Sequence, residues 1–232
     1  MAAFTLTRMA VRELWISFRL LLLLALPVVV GLITLLLSSD PGRTQLNLAS
    51  GMGIISTLAA GVAASAWATE RRRGTAGWLS MRAVPRASIL IGWFVGLAIP
   101  TVFGIAAGSL VVWLGSGTEP TPPLDAPAYA TLVAAVAGAA LQALAIGLLF
   151  GSFLSPMIAA LVSVLVSGVF LGAGLFVVNE PPLVPSSGIG LLAQAMDLLQ
   201  PMADGLQALG LGLTLTGIVL GAALQIFDRV DL

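Results

Sequence analysis

The chain has 232 residues, of which 59% are hydrophobic and 9% charged, with ten basic and ten acidic side chains and a mean hydropathy of +1.08. A soluble domain is about 45–50% apolar and about 25% charged, so this composition excludes an ordinary globular enzyme, a disordered segment and a nucleic-acid-binding module, and it predicts an all-α integral membrane protein. The absence of His, Cys and Lys removes haem ligation by His, Cys-bound clusters, ordinary zinc sites, disulfides, catalysis by Cys or His, and the Walker A lysine of a P-loop.

In chain order, residues 1–18 come first. At 100° per residue Arg8, Arg12 and Arg19 project close together, and Phe4, Val11, Leu14, Trp15 and Phe18 occupy an adjacent arc. This predicts an interfacial amphipathic helix over residues 4–18, lying in the headgroup layer. The apolar run from Leu20 to Leu37 is long for the core of a signal peptide, and no Ala-x-Ala cleavage site follows it. It is therefore expected to be a retained span.

Six spans follow from hydropathy, over residues 19–38, 46–68, 88–114, 128–150, 156–178 and 206–227. Each is long enough to cross about 30 Å of hydrocarbon at about 1.5 Å per residue. The breaks are polar or rich in Pro and Gly, at residues 39–43, 115–127 and 179–185. The least marked boundary is Gly151-Ser152-Phe153-Leu154-Ser155, because the chain stays apolar through it. Beyond span five, in the extracytoplasmic segment 179–205, Ile189, Leu192, Ala195, Met196 and Leu199 recur at helical spacing. They read as a surface helix or a re-entrant hairpin, broken at Pro201.

The arginines orient this layout. Arg8, Arg12, Arg19, Arg71, Arg72, Arg73, Arg82, Arg86 and Arg229 fall on one side of the six spans, and only Arg43 falls on the other. Basic residues accumulate on cytoplasmic loops, so both ends of the chain are expected to be cytoplasmic. Trp15, Trp67, Trp78 and Trp93 fall near the inner interface and Trp113 and Tyr129 near the outer one, as an aromatic belt would.

No charged residue falls deep in a span, whereas intramembrane charges mark proton relays and ion-coupling sites. The polar side chains that do enter the spans are Asn47, Ser50, Ser56 and Thr57 in span two, Gln142 in span four, and Ser163 and Ser167 on one face of span five. Each is read either as a hydrogen bond to its own or a neighbouring helix or as lining of a pathway. Glycines recur at four-residue spacing, as Gly92/Gly96, Gly104/Gly108, Gly147/Gly151, Gly168/Gly172 and Gly217/Gly221. This spacing predicts close helix packing.

The cytoplasmic connector, residues 69–87, combines Glu70, Arg71, Arg72 and Arg73 with Gly74-Thr75, an apolar group of Trp78, Leu79 and Met81, then Arg82 and Arg86. A plain basic connector accounts for the arginines. It does not account for Glu70, Gly-Thr or the apolar side chains, which fit docking on a partner. Here the chain resembles the transmembrane subunits of ABC-2 type exporters. Their loop after span two typically carries Glu, three mostly charged residues, Gly-Thr, a Leu four residues after the Thr and an Arg twelve after the Gly, the places of Glu70, Gly74-Thr75, Leu79 and Arg86. Ala83, Ala76-Gly77 and Gly92-Trp93 depart from the family's usual Pro, acid and Gly-Lys. The stretch from Leu199 to Leu206, with Pro201, is similar to the turn before the family's span six, and Phe227-Asp228-Arg229-Val230-Asp231-Leu232 is similar to its aromatic–basic–acidic tail.

The resemblance implies a six-helix half-transporter in a bacterial or archaeal plasma membrane. A second transmembrane subunit, identical or paralogous, would complete the path, and a separate ABC ATP-binding subunit would carry ATP and Mg. This chain itself would bind no cofactor and hydrolyse nothing alone. Spans two and five would line the path, and their Val, Leu, Ile, Ala, Ser and Gly side chains favour an apolar or amphipathic substrate. Alternative readings are an ion-coupled carrier or channel, which needs an intramembrane charge or internal repeats, an intramembrane enzyme, and an assembly subunit that does not transport.

Overall fold

The computed structural model describes the backbone of residues 2–37, 41–74, 84–116, 126–176 and 201–229. Side chains are described over 4–37, 51–74, 84–115, 126–169 and 205–229, Ala128 and Ala208 apart. The described residues form helices and short turns, with no strand. The helices are α1 (Ala2–Ile16), α2 (Arg19–Leu37), α3 (Pro41–Arg72), α4 (Arg86–Ser116), α5 (Ala126–Gly151), α6 (Pro156–Phe176) and α7 (Pro201–Arg229). Five stretches are long and apolar enough to cross a membrane: Arg19–Leu37, Gly51–Arg72, Arg86–Gly115, Tyr129–Gly151 and Gly205–Arg229. They coincide with five of the expected spans. In α6 the described side chains cover the shorter apolar stretch Pro156–Val169.

The break between α5 and α6 falls where the sequence was least marked. Gly151 ends α5, and Pro156 opens α6, a first-turn position where the missing N–H costs nothing. Pro201 plays the same part for α7, so residues 201–205 belong to that helix's first turns and do not form a turn before it. Residues 177–200, with the expected outer helix or hairpin, lie outside the described residues.

Helix directions alternate. Gly104 lies against Leu23, Gly108 against Pro27 and Gly115 against Leu35, so α2 and α4 run parallel. Gly147 lies against Ala60 and Gly151 against Ala64, so α3 and α5 run parallel, as do α5 and α7 through Thr131/Gly205 and Gly138/Gly212. Along α6 the order reverses: Val164 and Ala160 meet Gly61 of α3, while Ala159 packs with Ala64 and Ala68. α3 and α5 form the centre, flanked by α2, α4, α6 and α7.

Three of the five glycine pairs lie at helix crossings. Gly92 and Gly96 receive Leu6 and Ala10 of α1, Gly104 and Gly108 receive α2, and Gly147 and Gly151 receive α3. Pro27 explains one crossing. A proline inside a helix deprives the carbonyl four residues earlier of its donor. Here that carbonyl is Leu23's, and Gly104 presses its Cα against it, a geometry that allows a weak Cα–H···O contact. Gly217 and Gly221 have open space around them and take no part in the packing. Gly168 also has no close neighbour, and Gly172's side lies outside the described residues.

Besides the small cluster of Ala64, Ala68 and Ala159, the core has two larger parts. One gathers Trp67, Trp93, Leu97, Leu148 and Phe227 near the arginine-bearing helix ends; the other gathers Met52, Ile55, Ile105, Val112, Tyr129 and Leu132 nearer the opposite end. This changes the reading of the tryptophans. Trp67 and Trp93 are buried, with ring centres 5.9 Å apart, and Phe227 meets Trp67 edge-on at 5.1 Å. They are core residues, not an interfacial belt, and Trp15 is the described tryptophan that is widely exposed. At the opposite end Tyr129, also buried, stacks against Trp113 at 4.9 Å and donates a hydrogen bond to the Ser109 carbonyl at 2.7 Å.

Candidate functional site

Alternating helix direction brings the end of α1, the start of α2, the end of α3, the start of α4, the α5–α6 corner and the end of α7 to one end of the bundle. Arginine side chains tie these termini together. Arg73 pairs with Glu13 of α1 and, at 3.3 Å, with Glu70 one turn back on its own helix. Arg19, opening α2, lies in the field of all three. The hydrogen bond from Arg73 to Glu13, then the nearby charges of Glu13 and Glu70, push the Arg73 guanidinium further up, so it stays charged at any ordinary pH. Arg71 donates to the Leu154 carbonyl at 3.0 Å, across the α5–α6 corner, while its Nε is buried with no partner among the described residues. Arg86 donates at 2.9 Å to the carbonyls of both Phe227 and Asp228 and lies over the Phe227 ring. Those carbonyls belong to the last turn of α7, where helical donors run out, and a cation there also suits the helix dipole.

Glu70 is buried, and its described ion-pair partner is Arg73. That partner is a neighbouring arginine of the same chain. Gly74 has φ of +76°, with nothing near the place of a Cβ. Its N–H donates to the Arg71 carbonyl at 3.2 Å. This is the left-handed glycine that closes a helix: its freedom serves the turn out of α3. Arg72 is exposed at this rim. Thr75, Trp78, Leu79 and Arg82 lie outside the described residues.

The described polar candidates of the spans lie on three helices, α3, α5 and α6. Ser56 donates to the Met52 carbonyl at 2.9 Å and Thr57 to that of Ile54 at 2.7 Å, so both are satisfied by their own helix. Gln142 is buried on α5. Ser163 and Ser167 are buried on α6, and their hydroxyls have no partner among the described residues. The side chains of Asn47 and Ser50 lie outside the described residues. What the structure opens is an apolar groove of about 390 Å³ between α2, α3 and α6. Leu22 and Leu26 line it from α2, Leu58 and Val62 from α3, Val164 from α6, and Ser65 is its polar member. No group of His, Cys, Asp and Glu suited to a metal occurs among the described residues.

Two features of this end were hidden in the sequence. Glu13 is separated from Arg73 by sixty positions, and neither periodicity nor motif links them. Ser152 is buried at the α5–α6 corner, accepts from the Trp67 indole N–H at 3.0 Å and donates to the Leu148 carbonyl at 2.8 Å. The available sign was a pair of serines, Ser152 and Ser155, in an otherwise apolar break. Compared with models of known protein families and with curated protein sequences, the chain matches none.

Proposed function

We propose that this chain is the transmembrane permease subunit of an ATP-driven ABC-2 type exporter. It forms part of the translocation path and takes its energy from a separate ATP-binding subunit. The observation that carries the reading is the arginine-tied end of the bundle. The connector 75–85 leaves α3 at Gly74 and returns at Arg86, and both of its anchors are bonded to other helices, Arg73 to α1 and Arg86 to the end of α7. A push on that connector reaches four helices at once, as coupling to an external motor requires.

In this reading α6 is a span as well, the fifth of six in chain order. It has 21 residues, or about 31 Å at 1.5 Å per residue, which matches the hydrocarbon thickness. The arginine-tied end faces the cytoplasm. The groove between α2, α3 and α6 is the part of the path carried by this subunit, completed by a second transmembrane subunit, and its apolar walls suit an apolar or amphipathic substrate. An ion-coupled carrier is less well supported. Among the described residues the buried charged side chain is Glu70, and it is neutralised by Arg73 at a helix end rather than at mid-span.

The test is affinity purification of the tagged chain from its native membrane in mild detergent, with the co-eluting proteins identified. A nucleotide-binding subunit carrying a Walker A lysine is expected in near-stoichiometric amount. Recovery of the chain, intact and without any such subunit, contradicts the proposal.

A further inference from the structure

Helix α1 is amphipathic, but its two sides are not disposed as an apolar and a basic half. Leu6, Ala10 and Leu14 are buried, with Leu6 and Ala10 seated on Gly92 and Gly96 of α4. At 100° per residue the opposite face is centred on Arg8 and Arg12, with Phe4 and Trp15 on one flank and Thr5 and Ile16 on the other. Phe4 is 78% exposed, Trp15 65% and Ile16 59%. Bulky aromatic and aliphatic groups are thus left outside the protein beside two cations. Arg8 and Arg12 are exposed and have no ion pair among the described residues. The helix's own carboxylate, Glu13, is turned away from them and held by Arg73. A groove of about 750 Å³ opens on this face, lined by Arg8, Arg12, Met9, Val11, Trp15 and Leu20 of α2.

We propose that this groove binds an anionic phospholipid, with the headgroup phosphate between Arg8 and Arg12 and the upper acyl chain against Met9, Val11 and Leu20. Three observations select this occupant. The cations lack counter-charges among the described residues, and a lipid phosphate supplies one. Trp15 and Phe4 are the amphipathic or aromatic side chains that settle at headgroup level. Leu20, itself largely buried, lies in the first turn of α2, a helix apolar enough to cross a membrane, so the groove runs from a charged mouth to the start of a membrane-length helix. The inference stands apart from the transport reading, because it uses only residues of α1 and Leu20 of α2.

The experiment is native mass spectrometry of the purified full chain titrated with dioleoyl phosphatidylglycerol or dioleoyl phosphatidylcholine. The parent is expected to retain the anionic lipid preferentially. The Arg8→Gln/Arg12→Gln variant is expected to lose about 30-fold in that preference, the loss for two basic residues near an anionic surface. Arg8→Lys/Arg12→Lys keeps the charge and is expected to keep most of the preference. A charge-matched control at the same end, Arg72→Gln/Arg229→Gln, is expected to bind like the parent. Equal binding of the two lipids by the parent overturns the proposal. So does an undiminished preference in the Arg8/Arg12 Gln variant, or an equal loss in the control, which would mean diffuse attraction. Displacement of the lipid by millimolar inorganic phosphate also overturns it, because the site would then be a simple anion site.

Discussion

Gly104, Gly108 and Gly147 sit where a neighbouring helix presents a carbonyl oxygen, and a methyl group at any of them would overlap that oxygen. Membrane helices gain little from apolar burial against one another and depend on such close fits. Gly108→Ala or Gly147→Ala is expected to destabilise the bundle by about 1–3 kcal/mol, the usual cost of overpacking. Gly217→Ala, which points into open space, should stay within about 0.5 kcal/mol of the parent. Thermal unfolding in detergent distinguishes the three, and equal effects would discredit the assigned crossings. A second residue-scale prediction concerns Trp67 and Ser152. Ser152→Ala leaves the buried indole N–H unpaired, at a cost of about 1–3 kcal/mol. The Trp67→Phe/Ser152→Ala double variant removes both polar partners and is expected to lose less than the sum of the two single changes. Additive losses, read by the same melting measurement, would show that the bond does not couple the two sites.

Element limits were largely legible in the sequence, because 1.5 Å per residue and a fixed hydrocarbon thickness leave few ways to divide this apolar chain. The expected spans 88–114 and 128–150 became α4 and α5 with ends shifted by one or two residues. The packing was not legible. Five glycine pairs share one spacing, yet among the described residues only the pairs on α4 and α5 meet another helix, since spacing says nothing about which face is covered. The candidate pathway residues illustrate a related point. A polar side chain in a helix has its own backbone carbonyls within reach, and Ser56 and Thr57 use them, while the groove between α2, α3 and α6 is built mainly from aliphatic residues, with Ser65 its polar member. Helix α6 carries its own prediction. If it crosses the membrane, Ser155→Cys at its start should be protected from a membrane-impermeant maleimide added outside cells, and Ser187→Cys beyond its end should be labelled. Labelling of both from the same side would remove α6 from the spans.

For the whole molecule, the arginine asymmetry and the alternating helices make the same statement: one end of the bundle is basic and cross-braced. Its orientation can be read by single-Cys labelling in this Cys-free chain. Ser39→Cys and Ser116→Cys should react from outside and Ser80→Cys should not; external reaction at Ser80→Cys would invert the topology. Within the coupling account, Glu70 and Arg73 hold the end of α3 and the docking anchor is assigned to Trp78 in the connector. Trp78→Ala should therefore weaken partner assembly without disturbing insertion, an effect of about 2 kcal/mol or more for a buried interface aromatic. The most direct test of an externally powered permease is ATP hydrolysis. The purified chain alone is predicted to have none, since no residue can act as the Walker lysine. The complex isolated from the native membrane is predicted to show vanadate-sensitive turnover that co-elutes with this chain and falls in Trp78→Ala. Turnover by the chain alone, shown free of contaminating ATPase, or a complex with no nucleotide-dependent activity at all, would contradict the account.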